Sequence, residues 1–231
     1  MEAPEPDQHD EPSEASAEPA PRRARHTSPI RLEAAQALRH LAHTLVARQV
    51  DDDLLIEIRD MAERAAAAAE RAPERPHALL RPGTEVFAPG RQEPNDTGFP
   101  DGLVSGKANP MGIGAHSFHE GDEAVLRVTL GAAFEGAPGR AHGGVVATLI
   151  DETMGMVLGI IATPAFTGRL TVNYRAPTPV GRPLEVRARL VGREGRKLFI
   201  TAELHSEGTL VADADALFIT VQAQHFFPPA G

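Results

Sequence analysis

The chain contains no cysteine, and that absence removes disulfides, thiolate metal sites and a cysteine nucleophile together. It also lacks a basic stripe. Its 231 residues include 23 Lys and Arg against 32 Asp and Glu, a formal net charge of −9, which argues against nucleic acid as a partner. Most of that charge is local: residues 1–20 hold seven Asp and Glu and no Lys or Arg, so −9 minus −7 leaves −2 for the rest. There is no Gly-x-Ser-x-Gly elbow, so a serine hydrolase of the α/β type has no nucleophile here. The longest apolar run, within 145–161, is broken by Asp151 and Glu152 and reads as too short for a membrane span. The first residues, Met-Glu-Ala-Pro-Glu-Pro, are acidic, the opposite of a signal or transit peptide. The expectation is a soluble, cytoplasmic protein.

The length allows one domain with appendages or two small ones. Residues 1–27 are Glu, Pro, Ala and Ser with almost nothing to bury, and read as a disordered acidic tail. Order is expected from Ser28-Pro29, a capping residue followed by proline at the first helical position. Leu32, Ala35, Leu38, Ala42 and Leu45 recur at helical spacing, and Asp51-Asp52-Asp53 caps a second helix carrying Leu54, Leu55, Ile58, Met61 and Ala65. Residues 28–72 therefore read as a helical hairpin, packed on the core domain or mediating assembly. Residues 73–102, rich in Pro, Gly, Asn and Asp, read as a linker and covering loop. Residues 103–225 read as one α+β domain. Strands flank one long apolar helix, and period-two alternation such as Leu184-Val186-Ala188-Leu190 gives antiparallel strands with one dry face. A curved antiparallel sheet is the only material available to wrap that helix.

Asp151 stands in the middle of this helix. A carboxylate among apolar residues either faces a solvent gap beside Glu152 or is a working acid or base, because such groups concentrate in active sites. His142-Gly143-Gly144 opens the same helix. Glycines there let the backbone approach a ligand, and the free N–H groups of a helix start attract developing negative charge. The bland alternative is a start signal after the Gly136-Ala137-Pro138-Gly139 turn, with His142 as cap. His142 and Asp151 are nine residues apart, about 13 Å along the axis and on opposite sides of the helix. They cannot share a site within one subunit. Two antiparallel copies of the helix about a two-fold axis could bring the start of one beside the middle of the other.

The run Gly136-Ala137-Pro138-Gly139-Arg140-Ala141-His142-Gly143-Gly144, with Asp151 following, resembles the hotdog-fold acyl-CoA thioesterases of the phenylacetate-pathway type, and among them the thioesterase superfamily member 4 subgroup. The resemblance covers about residues 103–222. It continues through Asn173-Tyr174-Arg175-Ala176-Pro177-Thr178-Pro179 and Glu194-Gly195-Arg196-Lys197-Leu198-Phe199. It implies a hotdog fold, a curved antiparallel sheet around a long central helix, and hydrolysis of an acyl-CoA thioester to free acid and coenzyme A. It implies no metal and no redox cofactor. Asp151 would be the catalytic carboxylate, as general base or as nucleophile. The Gly143 N–H would polarise the carbonyl, His142 would help position it, and Thr167 would support the carboxylate from the same subunit. Arg175, Arg196 and Lys197 fall where the family carries basic side chains near coenzyme A phosphates, although solvated charges beside a turn would look the same. The partners implied are acyl-CoA and a second copy, as a homodimer or a dimer of dimers. Some relatives carry a polar residue, often Asn, shortly before His-Gly-Gly; Glu135-Gly136 stands here instead.

A non-catalytic acyl-CoA binder or sensor of the same fold is the main alternative, and an assembly module working through the hairpin a second. Two lookalikes fall away. Gly112-Ile113-Gly114 leads toward a strand instead of a helix, and alternation puts His116 and His119 on opposite strand faces.

Overall fold

A computed structural model describes residues 27–73 and 100–222 of the chain. The acidic tail to residue 26, the linker over 74–99 and residues 223–231 lie outside the described residues. Helices α1 (Pro29–Ala47) and α2 (Asp52–Glu70) come first, followed by strands β1 (His116–Glu120) and β2 (Glu123–Thr129). A 3-10 turn (Ala132–Phe134) leads into a small hairpin of β3 (Glu135–Ala137) and β4 (Arg140–Ala141). Helix α3 (Gly143–Ile160) precedes β5 (Ala165–Tyr174), β6 (Pro183–Glu194), β7 (Lys197–Ser206) and β8 (Thr209–Thr220).

The alternation read from the sequence becomes a six-stranded antiparallel sheet in the order β1-β2-β6-β7-β8-β5. Glu207 and Gly208 both take positive φ, 49° and 84°, the backbone of a two-residue hairpin turn whose twist matches its strands. The inner face is apolar and, under the helix, small. Ala124, Ala188, Ala202 and Ala214 pair in one row across β2, β6, β7 and β8. All four are buried in the core that α3 shares. Methyl groups in a row leave room for a helix to lie close to the sheet, with Leu126, Val186 and Leu204 filling the next row. The outer face carries charge instead, with Arg187 within 3.2 Å of Glu120, Glu123 and Glu185.

Helix α3 seats Val146, Leu149, Ile150, Thr153, Met154, Val157 and Leu158 on that sheet. Its opposite side is not wrapped by the sheet, as the sequence reading expected the helix to be. Val145, Thr148, Asp151, Glu152 and Met156 are only half-buried, because one sheet covers one side of a helix. By length and composition α3 is apolar enough to cross a membrane (18 residues, mean hydropathy 1.4), contrary to the sequence reading. Its packing makes it the core helix of the domain.

The covering loop before β1 is tied down at both sides. Ser105, buried, donates to Glu152 Oε1 on α3 at 2.7 Å. Arg39 of α1 donates to the carbonyls of Lys107 and Asn109 at 3.1 and 2.6 Å. Glu152 is therefore a structural anchor beside Asp151. Helix α2 is capped as expected, Asp51 accepting from the Leu54 N–H at 2.9 Å, and it buries no residue.

Leu149, fully buried between α3 and the sheet, reports this seating. Leu149→Ala is expected to cost about 3 kcal/mol, read as a lower urea midpoint at unchanged slope.

Candidate functional site

Helix α3 and strand β5 run side by side and are joined by hydrogen bonds at both ends. At the helix start His142 is the N-cap, its Nδ1 accepting from the Gly144 N–H at 3.0 Å. The Tyr174 hydroxyl, at the end of β5, donates to the Gly143 carbonyl at 2.8 Å. The Gly143 N–H has no acceptor among the described residues, as expected of a first-turn amide. A methyl group on residue 143 would come within 3.3 Å of the Tyr174 hydroxyl, so glycine keeps this corner open.

A pocket of about 500 Å³ opens at this corner. Its walls include Arg140 of β4, His142, Gly143, Val146, Tyr174 and Arg175. Among the described residues, no carboxylate lines it. It is a cleft with a free amide, a helix N-terminus and two guanidiniums, a set suited to a polarised carbonyl and an anionic group.

The carboxylate lies elsewhere. Thr167, near the start of β5, donates from Oγ1 to Asp151 Oδ1 at 3.0 Å. The strand shifts register between Thr167 and Arg169, a bulge at Gly168 that falls beside the Thr167–Asp151 pair. Seven residues of extended chain separate Thr167 from Tyr174, about 20 Å. Thr167 thus meets Asp151, and His142 meets Gly144 beside Gly143, but one chain holds the two groups at opposite ends of β5. The hydroxyl fixes one carboxylate oxygen and leaves the other for a ligand or water.

The basic residues divide in the same way. Arg175 lines the pocket, yet its guanidinium is held by Asp213 on β8, with Asn173 also donating to that carboxylate at 2.7 Å. The hydrogen bond from Arg175, then that from Asn173, holds the Asp213 carboxyl below its ordinary range. Arg196 donates to the Thr220 carbonyl at 3.1 to 3.2 Å, and Lys197 is exposed at the start of β7 beside it. Both lie at the Thr167 end of the sheet, away from the pocket.

Two residues of the corner gained no role from the sequence. Tyr174 is the only tyrosine, and its alternation with Leu170 and Val172 already put it on the helix side of β5. Arg140 faces the pocket because the Pro138-Gly139 turn folds β4 back on β3, which no periodicity reports.

A curved antiparallel sheet seating one long helix is the hotdog fold, and comparison with known proteins agrees. A crystal structure described as a thioesterase superfamily protein superposes with a TM-score of 0.70 at 23% identity, covering 84% of this chain and 92% of that one. The family model described as Thioesterase superfamily matches residues 138–212. The resemblance to hotdog-fold thioesterases is thereby borne out, the family model covering the segment from Pro138 to Ala212.

Particular relatives are similar to the same segment. Acyl-coenzyme A thioesterase THEM4 of Xenopus laevis is 37% identical over 91 residues, 38% of this chain and 41% of that protein. The Mus musculus protein of that name is 38% identical over 96 residues, 41% of each chain. The Bos taurus one is 33% identical over 131 residues, 55% of this chain and 51% of that one. The chain thus spans about two fifths to one half of the length of these relatives.

The Arg175–Asp213 contact gives a titration. In the native chain the Asp213 carboxyl is expected to titrate below its ordinary value, and in Arg175→Ala to move back up toward it, followed by carboxyl ¹³C shifts. By linkage this pair's contribution to stability is present above pH about 4 and is lost as pH falls through the depressed value.

Proposed function

We propose that this protein hydrolyses an acyl-CoA thioester to the free acid and coenzyme A, in a site shared between two copies of the chain. The observation that carries the reading is the division of the site. Among the described residues, a pocket with a free amide and no carboxylate stands at the start of α3, and a carboxylate with its hydroxyl stands at mid-helix, beside the far end of β5. The half-exposed side of α3 supports a two-fold pairing, as does the β5 edge, where residues 166–169 are all exposed. With α3 antiparallel to its copy, the Asp151 of one chain meets the Gly143 corner of the other.

In that arrangement the thioester carbonyl oxygen faces the Gly143 N–H, backed by the helix N-terminus. His142 keeps the turn in shape by accepting from Gly144, and Tyr174 holds the Gly143 carbonyl from behind. Asp151, its second oxygen fixed by Thr167, takes a proton from water as the water adds to the carbonyl carbon. Collapse of the oxyanion breaks the C–S bond, and the departing thiolate takes up the proton. Direct attack by the carboxylate, with water then cleaving the anhydride, uses the same atoms and gives the same products. Arg140 and Arg175 at the pocket, with Arg196 and Lys197 at the opposite end of the sheet, are the cations offered to coenzyme A phosphates. The reading requires neither a metal nor a redox cofactor.

The test is thiol release from a panel of acyl-CoA esters. Asp151→Asn is expected to lower kcat about 10²–10⁴-fold with the dimer intact, and Thr167→Ala about fivefold, the worth of one ordinary hydrogen bond. Gly143→Pro removes the amide and also crowds Tyr174 at the corner, so it disables that half of the site. His142 already has the extended backbone a following proline requires, and proline suits a first helical position. Mixing inactive Asp151→Asn with inactive Gly143→Pro is expected to restore activity, because each mixed dimer holds one intact composite site. No recovery on subunit exchange would place both groups in one chain and sink the shared site. Binding of the esters without thiol release by the wild type would make the protein a sensor.

A further inference from the structure

Helix α1 reaches the pocket through one imidazole. His43 Nδ1 accepts from the Ala133 N–H at 3.1 Å, and its ring meets Phe134 edge-on with centroids 5.0 Å apart. The Phe134 carbonyl in turn accepts from the His142 N–H at 2.9 Å. His142 Nδ1 then accepts from Gly144. Three successive hydrogen bonds thus join the N-terminal helix to the turn that presents the Gly143 amide.

Gly131 shows that the seat for His43 is built. Its φ of −89° and ψ of 174° are extended backbone that any residue adopts, so no turn demands glycine there. A methyl group at this position would lie 2.5 Å from His43 Nδ1. Glycine leaves the space that the imidazole occupies.

We propose that His43 is a positioning residue for the His142-Gly143 turn, acting through residues 131–134 and only while its ring is neutral. An imidazolium carries N–H at both nitrogens and has no lone pair for the Ala133 N–H. Burial first, then His40 and Arg39 on the same helix, pushes the His43 ring below its ordinary value. Residues 131–134, on which it packs, carry no charge, and Glu135 follows them. The covering loop that α1 also holds carries Lys107 and Asp101, the latter 3.7 Å from Arg31. A histidine depressed in the folded chain contributes fully above its unfolded value of about 6.5. That contribution is lost as pH falls below it. α1 therefore lets go of the turn only once pH falls through the lowered value of the His43 ring, below the ordinary one. The catalytic consequence rests on the hydrolytic reading above; the mechanical link does not.

The experiment measures amide exchange at His142, whose N–H the Phe134 carbonyl accepts, in the full chain from neutral pH downward, corrected for intrinsic rates. In the wild type, protection of that amide is expected to fall about fivefold as pH drops through the lowered value of His43, the factor of one ordinary hydrogen bond. His43→Phe keeps a ring and loses the acceptor, and should show the low protection at every pH. Gly131→Ala, which displaces the imidazole without touching it chemically, should do the same. His43→Asn keeps an acceptor that does not titrate and should hold the high protection throughout. In thiol release, kcat is expected to follow protection at unchanged KM. Wild-type protection in both His43→Phe and Gly131→Ala would overturn the inference, as would loss in His43→Asn equal to that in His43→Phe. Should the wild type release no thiol from any ester, the hydrolytic reading fails and exchange alone decides on His43.

Discussion

Seating an apolar helix against a sheet sets two conditions that this chain meets together. The sheet must offer small side chains where the helix approaches, and it does so in the row Ala124, Ala188, Ala202 and Ala214. The helix must turn enough large side chains to that side, as it does with Leu149, Ile150, Met154 and Val157. Close packing then leaves the other side of α3 without cover of its own. Asp151 belongs to that side, which is how a carboxylate persists in so apolar a segment without being sealed in a dry interior.

The hydrogen bonds between α3 and β5 follow from the same seating. A helix advances about 1.5 Å per residue and a strand about 3.3 Å, so two elements side by side keep only a few side chains in reach of one another. Here those are Tyr174 to Gly143 and Thr167 to Asp151. They fasten the amide's turn and the carboxylate to opposite ends of β5. A helix that keeps two groups apart could unite them only by meeting another helix, which is what the proposed shared site requires.

Around this centre the remaining polar contacts act as fastenings. Glu152, next to Asp151, binds the covering loop through Ser105. Arg39 and His43 attach α1 to that loop and to the turn before β3. Two neighbouring carboxylates on one helix thus have unlike surroundings, one met by a strand hydroxyl at the open side and the other by a loop serine.

Much of this was legible in the residues. Alternation along 184–190 and 198–204 gave strands and their dry face, the Glu-Gly pairs gave the turns, and the apolar run with its histidine and glycines gave the helix and its start. Spacing alone separated His142 from Asp151, since nine helical residues have only one geometry. Tertiary structure decided what depends on neighbours distant in sequence. It paired Arg175 with Asp213, turned Arg140 into the pocket, left half of α3 uncovered and docked His43 on Gly131. Local periodicity records which way a side chain points within its own element; it carries no record of which element folds back to meet it.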